Sequence, residues 1–288
     1  MQPLIWDRRP DGLRAPALVC AFRGWNDAGD AATTALETVI DKLGAKRFAR
    51  IDPEEFYDFQ AVRPLVRLVD GVTREITWPE VEIYEARAPR APRDLVLMIG
   101  AEPSLRWRGF CATVTDVAEA LGAQLVVTLG ALLADVPHTM PTPVTAMASD
   151  DSLITGLDAP PPSYEGPTGI VGVLHWTCSE MGMPSASLWA AVPHYVAAAP
   201  NPKAALALLR KLESLVGVAI DGAGLEQAAA DYEHQVSLAV ESDPDVQAFV
   251  ERLERATSAQ AATDGGDLPS GDVIAREFQR FLRQQGSG

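Results

Sequence analysis

Two carboxylates stand where a short apolar segment gives way to a helical pattern. Asp27 and Asp30 follow the apolar run at residues 17–22 and lie at the start of a predicted helix over residues 28–43. Carboxylates at the edge of a sheet can serve as general acids and bases or bind a metal ion. They can also cap the helix, because an Asp side chain accepts hydrogen bonds from the unpaired N–H groups of a first turn. We favour capping and retain both residues as candidate catalytic groups.

A cluster of mixed charge follows a second apolar run, at residues 95–99. Glu102, Arg106 and Arg108 come after that run, and paired arginines can clamp a carboxylate or phosphate group of a ligand. The alternative is that the arginines form ion pairs with Glu102 or with Asp27 and Asp30 on a neighbouring loop. We favour this alternative because opposite charges occur on adjacent strand-end loops. All three residues remain candidates for ligand binding.

His138 stands three residues after Asp135 in the segment ADVPH. An Asp beside a His can hold the imidazole in one tautomer and so make it a general base. The spacing brings the two side chains together only if the backbone turns, and no GxSxG nucleophile motif accompanies them. We therefore interpret His138 as a structural loop histidine and retain it as a catalytic candidate.

Aromatic and amide side chains beside these groups could line a pocket or a protein interface. Trp25 and Asn26 lie in the segment GWNDAG, which has neither the lysine of a phosphate-binding loop nor the GxGxxG pattern of dinucleotide sites. Trp107, Trp176 and Trp189 lie on three further segments. Core packing is the simpler interpretation of the tryptophans, while Trp25 and Asn26 are kept as ligand-binding candidates.

The composition disfavours several classes of protein. The 288 residues include 24 basic and 39 acidic side chains, and the formal net charge of −15 disfavours binding to nucleic acid. Three scattered cysteines form no CxxC pair and no Cys/His spacing, which indicates a reducing compartment without disulfides or zinc. No run approaches the roughly 20 apolar residues that cross a bilayer, and no signal peptide is visible. We expect a cytoplasmic protein without metal, cofactor, nucleic-acid or membrane partners.

Continuous apolar runs alternate with helical patterns along the first two thirds of the chain. Such runs predict strands at residues 17–22, 95–99, 125–129, 144–148, 170–174 and 187–192, with a hairpin or small antiparallel excursion within residues 66–84. Strands buried on both faces predict an α/β fold with a mostly parallel sheet flanked by helices. The loops after Phe22, Ile99, Leu129 and Leu174 would then share the edge at which open α/β sheets bind ligands.

The last third of the chain is helical in pattern. We predict an α/β core domain over residues 1–220 and a helical appendage over residues 221–260. A polar linker and a terminal helix are predicted within residues 261–288.

Five segments occur in an order that resembles bacterial members of the proteasome assembly chaperone family, of the chaperone 2 type. They are FRGWNDAGDAA, GAEPSLRWRGF, GALLADVPHTMPTPV, YEGPTGIVGVL and PSASLWAAVPHYV, and the resemblance covers roughly residues 4–255, most of the chain. The resemblance implies a fold like that of nucleoside phosphorylases and related hydrolases. It also implies a homo-oligomer, with a trimer favoured, and proteasome core subunits as candidate partners.

Two functions stay open at this point. The first is a homo-oligomeric, chaperone-like module that binds proteins and catalyses nothing. The second is a small-molecule hydrolase or phosphorylase-like enzyme with a cleft at the carboxyl edge of the strands. The enzyme hypothesis requires Asp27, Asp30, Arg106, Arg108 and His138 to converge in one pocket.

Overall fold

A computed structural model describes residues 3–196 and 200–262 of the chain. The strands in this part are β1 (Leu4–Trp6), β2 (Ala17–Arg23), β3 (Lys46–Ile51), β4 (Leu65–Val69), β5 (Thr73–Thr77), β6 (Val81–Ala86), β7 (Leu95–Ala101), β8 (Leu125–Ala134), β9 (Val144–Ala148) and β10 (Ser185–Pro193). The helices are α1 (Ala31–Lys42), α2 (Trp107–Ala120), α3 (Ile170–Glu180), α4 (Pro202–Val216), α5 (Ala223–Glu241) and α6 (Pro244–Ala262).

Eight of the strands form one mixed sheet in the order β1-β3-β6-β7-β2-β8-β10-β9. The four central strands, β7, β2, β8 and β10, run parallel to one another. The outer strands pair antiparallel with their neighbours on both sides of this centre. The predicted α/β fold with helices on a mainly parallel sheet is therefore confirmed.

Burial on both faces explains the continuous apolar runs. In β2, Ala17, Val19 and Ala21 pack into a core shared with α1 and α4. The alternate side chains of the same strand pack into a second core shared with α2 and α3. Successive strand side chains point to opposite faces, so a strand between two helical layers needs apolar residues at every position.

The strand predicted at residues 170–174 is wrong, because these residues begin helix α3. Five consecutive apolar residues fit a buried strand and a buried helix equally well. The spacing of buried residues favours the helix, because Ile170, Leu174 and Cys178 recur every four residues and are all fully buried. Leu174 therefore does not end a strand, and no strand-end loop follows it.

Strand β8 is longer than the sequence predicts, because Gly130 does not end it. The strand continues to Ala134 and pairs with β10 from Val126 to Ala134. A Cβ atom at Gly130 would lie 2.7 Å from the ring of Trp189, so the glycine allows a close approach of the indole. The predicted antiparallel excursion is present as the hairpin β4–β5, while residues 81–86 join the main sheet as β6.

The helical end of the chain begins on the core and extends away from it. Helix α4 packs on α1 and β10, α5 packs on α4, and α6 packs on α5. A small separate core joins α5 to α6 through Tyr232, Val236, Val240 and Val250, with Tyr195 against it. The division at residue 220 stays a prediction, and residues 263–288, with the predicted terminal helix, lie outside the described residues. No helix in the described ranges is both long and apolar enough to span a bilayer.

Candidate functional site

Glu102 follows β7 at the carboxyl edge of the parallel strands and joins two other segments. Its Oε1 atom accepts a hydrogen bond from Nδ2 of Asn26 at 2.6 Å and another from the backbone N–H of Ile170 at 2.8 Å. The residue before α3 is Gly169, which has no side chain to cap the helix. Glu102 therefore supplies the acceptor that the first turn of α3 needs. We call Asn26, Glu102 and Ile170 the Glu102 clasp.

Asn26 is tightly enclosed within this clasp. Its side chain is fully buried, and its backbone carbonyl accepts a hydrogen bond from the N–H of Ala131 at 2.8 Å. A Cβ atom at Gly169 would lie only 2.1 Å from Oδ1 of Asn26. Asn26 and Glu102, both candidates for ligand binding, are thus brought together by the structure and bonded to each other.

Asp27 caps helix α1, as the sequence predicts. Its Oδ1 accepts hydrogen bonds from the N–H groups of Ala32 at 2.7 Å and Thr33 at 3.3 Å, and its Oδ2 accepts the Thr33 hydroxyl at 2.5 Å. Burial raises the pKa of Asp27 above its ordinary value, although these hydrogen bonds oppose the shift. Asp30 is exposed and takes a left-handed backbone conformation just before the helix, with no capping hydrogen bond of its own.

Arg106 pairs with a different carboxylate from those the sequence suggests. Its guanidinium lies 2.7 Å from Glu55, and both side chains are well exposed. The expected pairing of this arginine with Asp27, Asp30 or Glu102 is therefore wrong. Arg108 is exposed on α2. An exposed ion pair of this kind contributes little to stability, about 0–1 kcal/mol.

A shallow cleft of about 520 Å³ is lined by Glu102 and, among others, by Arg23, Gly24, Val62, Ser104 and Trp107. Trp107 is fixed there because its indole N–H donates to the carbonyl of Pro103 at 2.6 Å. Trp25, 45% exposed, follows Gly24 directly in the chain. Neither the two aspartates nor Arg106 and Arg108 line the cleft.

His138 lies at a different place, on the loop after β8, where it contacts helix α5. Its ring contacts the hydroxyl of Tyr195 through Nδ1 at 2.7 Å and that of Ser237 through Nε2 at 3.1 Å. Oδ1 of Asp135 lies 3.0 Å from Nδ1 of His194, so the suggested Asp135–His138 pair does not form. Within the described residues, no hydrogen bond or ion pair joins His138 to Asp27 or Asp30. The groups that the enzyme hypothesis needs therefore do not form one connected constellation.

Lys203 completes the surroundings of His138 and is not apparent from the sequence. Its ammonium donates to the carbonyl of His138 at 2.5 Å and pairs with Glu233 of α5. Tyr195 could have been suspected, because it follows β10 directly in the segment PHYV. Together these contacts attach α5 to the loop after β8.

A model of the PAC2 family matches residues 21–240, which is most of the chain. The chain belongs to the PAC2 family. A PAC2 family protein from Streptomyces avermitilis is 47% identical, with 82% of this chain and 99% of the other covered and a TM-score of 0.76. A proteasome-assembly chaperone homologue from Mycobacterium tuberculosis is 44% identical, with 81% and 99% covered and a TM-score of 0.75.

A more distant solved structure shares the fold of this chain. An archaeal proteasome activator from Pyrococcus furiosus is 21% identical, with 83% of this chain and 99% of the other covered and a TM-score of 0.65. At that identity the likeness concerns the fold alone. A search of the curated proteins found no match.

Proposed function

We propose that this PAC2 protein is a homo-oligomeric protein-binding module with a chaperone-like role in the cytoplasm. Its 44% identity to a proteasome-assembly chaperone homologue, over 81% of the chain, supports a role of that kind. Proteasome core subunits are the proposed partners, and a trimer is the proposed state.

The observation that carries the proposal is the commitment of the chemically capable side chains to internal bonds. Both oxygens of Asp27 accept hydrogen bonds from helix α1, and one oxygen of Glu102 holds Asn26 and α3. Both ring nitrogens of His138 contact hydroxyl groups of the fold. A catalytic group needs a free lone pair or proton facing its substrate, and these contacts favour a structural role for Asp27 and His138. Glu102 lines the cleft, and its Oε1 atom serves the clasp.

Large exposed aromatic residues support a function in protein binding. Trp176 on α3 is 61% exposed, and Trp25 and Trp78 are nearly half exposed. Tryptophan is enriched at protein interfaces and in their energetic centres, because it buries much apolar surface at little conformational entropy. Single exposed leucines are common on proteins, whereas several exposed indoles call for a partner surface.

A binding assay with proteasome core subunits tests the proposal. The purified protein is mixed with separately purified α-type and β-type subunits from its own organism, and complexes are measured by sedimentation velocity. We expect a complex with the wild-type protein and binding weakened at least about tenfold by Trp176→Ala, as for a residue at an interface centre. Leu238→Ala is the matched control, because Leu238 is a similarly exposed apolar residue on α5. Absence of any complex with either type of subunit would refute the proposed partner.

A further inference from the structure

The cleft lined by Glu102 contains a carboxylate oxygen that the fold does not use. The cleft measures about 520 Å³, a size that suits a small molecule, and Gly24, Val62, Ser104 and Trp107 are among the residues that line it. We call this space the Glu102 cleft. Oε1 of Glu102 carries both hydrogen bonds of the Glu102 clasp. Within the described residues, no hydrogen bond or ion pair reaches the second oxygen, Oε2.

Gly24 keeps the space beside Oε2 open. Its φ angle of +127° is one that residues with a side chain rarely adopt. A Cβ atom at this position would lie 3.4 Å from Cβ of Glu102 and 3.6 Å from Oε2. Such an atom would cover this side of the carboxylate, so the glycine leaves Oε2 accessible from the cleft.

The charge of Glu102 is not balanced by the cation that shares the cleft with it. Of the described residues that line the cleft, Arg23 is the only cation. Its guanidinium lies 2.5 Å from Glu37 of α1, and α1 packs on the face of the sheet opposite to α2 and α3. Arg106, which begins the next helix, pairs with Glu55. A carboxylate in this position attracts a cation from solution.

The remaining lining of the cleft is mainly apolar. Val62, Ala101 and Trp107 all pack on the core that contains α2 and α3. The indole N–H of Trp107 already donates to the carbonyl of Pro103, so the rest of the ring offers carbon surface. Indole rings attract cations as well as apolar groups. The lining therefore suits a ligand that has a positive charge at one end and an apolar body.

We propose that the Glu102 cleft binds a small organic amine. The ammonium group of the ligand donates a charge-assisted hydrogen bond to Oε2 of Glu102, and its apolar body lies against Trp107 and Val62. Because Oε1 alone serves the Glu102 clasp, the ligand binds without breaking it. This site depends on neither the oligomer nor the protein partners of the proposed function.

The test is a titration of the full chain with probes of similar shape and different charge: benzylamine, benzyl alcohol and benzoate. The indole N–H resonance of Trp107, identified by its loss in Trp107→Phe, reports binding in proton–nitrogen correlation spectra. We expect benzylamine to shift this resonance to saturation and to bind at least about tenfold more tightly than benzyl alcohol, because a bond between charged groups is stronger than one between neutral groups. Benzoate should not bind. Absence of a benzylamine shift, or equal binding of the three probes, overturns the inference.

A fourth probe separates two sources of the ammonium group. Oε2 of Glu102 would accept a bond from a free amine and from a lysine of a partner protein alike, so Nα-acetyl-lysine amide is titrated in the same way. Tighter binding of benzylamine than of the lysine probe supports a free amine as the ligand. The reverse order would assign the cleft to a lysine side chain and overturn the small-molecule ligand.

Glu102→Gln separates the charge from the clasp. The amide keeps an oxygen that accepts from Asn26 and Ile170, but it has no charge, so we expect a folded variant that binds benzylamine at least about tenfold more weakly. Glu54→Gln is the matched control, because Glu54 is an exposed carboxylate that does not line the cleft. This control should bind benzylamine as the wild type does.

Ser104→Phe tests the cleft without touching the carboxylate. Ser104 is exposed and lines the cleft, so a phenyl ring there should fill the space and abolish benzylamine binding while the Glu102 clasp stays intact. Circular dichroism verifies that each variant is folded, and Ser104→Phe decides the matter if Glu102→Gln does not fold. Benzylamine binding that survives either substitution in a folded variant overturns the inference.

Discussion

The hydroxyl of Tyr195 lies 2.7 Å from Nδ1 of His138 and also accepts the backbone N–H of that histidine at 2.8 Å. Because the hydroxyl accepts from the N–H, its own proton is free to point at Nδ1. The ring proton then belongs on Nε2, from which it donates to Ser237 at 3.1 Å. The contacts fit a neutral imidazole with its proton on Nε2. His138 thus joins the core to helix α5.

Replacing His138 should destabilise the packing of α5 on the core more than it destabilises the sheet. His138→Ala leaves Ser237 without its ring partner and opens a gap, for an expected loss of about 1–3 kcal/mol. Hydrogen exchange should rise in α5 and α6 and stay unchanged in β2. Ser237→Ala, which removes one contact of the same ring, should show the same pattern with a smaller effect. Uniform exchange changes across the sheet would contradict this role.

Acid should weaken the same attachment. Burial, followed by the charge of Lys203, lowers the pKa of His138 below its ordinary value of 6.5, although Glu233 and Glu254 oppose the shift. The folded state therefore binds this proton less readily than the unfolded chain. The contribution of His138 is fully present above about pH 6.5 and is lost as the pH falls through the lowered pKa. Urea titrations at several pH values should show the difference between wild type and His138→Ala shrinking on acidification.

Asp27 offers a test that separates a cap from a catalytic carboxylate. Asp27→Ala removes the acceptor from the N–H groups of Ala32 and Thr33, and we expect a loss of about 1–2 kcal/mol. Asp27→Asn keeps an acceptor oxygen and should lose much less. Because the pKa of Asp27 is raised, the folded chain binds this proton more readily than the unfolded chain. The stability that protonated Asp27 contributes is present at low pH and is lost as the pH rises through the raised pKa. Urea denaturation at neutral pH should therefore rank wild type and Asp27→Asn together, above Asp27→Ala. An asparagine variant as unstable as the alanine variant would contradict the cap.

The central strands and the Asp27 cap could be predicted because they depend on neighbouring residues. A buried strand needs an unbroken apolar run, and a helix start needs an acceptor within a few residues. Helix α3 was missed where five apolar residues fit both structures, although Ile170, Leu174 and Cys178 hold the helical spacing.

The partners of the charged and polar candidates could not be predicted, because they depend on which distant segments of the chain the fold brings together. Arg106 meets Glu55 from 51 residues away. His138 meets Tyr195 and Ser237 from 57 and 99 residues away. No local pattern selects such a partner, and several acidic side chains were available to Arg106. The sequence identified the correct edge of the sheet for the Glu102 clasp but not the bonds within it.

Gly169 is the position at which a single methyl group should break the Glu102 clasp. In Gly169→Ala the new Cβ would lie 2.1 Å from Oδ1 of buried Asn26, so Asn26 must shift away from Glu102. We expect a loss of about 1–3 kcal/mol in thermal or urea denaturation, as for other overpacked sites. Gly224→Ala is the control, because that Cβ meets nothing within 4 Å. Equal stability of the two variants would show that Asn26 can move without a loss of stability.

The three cysteines should be unreactive toward thiol reagents in the native protein. Cys20, Cys111 and Cys178 are all buried in the core on the α2 and α3 side of the sheet. Burial raises the pKa of each thiol, to about 11 for Cys111 and about 12 for Cys178; for Cys20, burial and the other two thiols raise it well above the ordinary value.

Labelling with a colorimetric disulfide reagent at mildly alkaline pH measures this directly. The thiolate is the reacting form, so native protein should react only at the rate at which this core opens, and fully in denaturant. Ser104→Cys provides an exposed thiol as a positive control and should react at once. Prompt reaction of a thiol in the wild-type protein would mean that the second core is open, and the packing of α3 against the sheet would have to be abandoned.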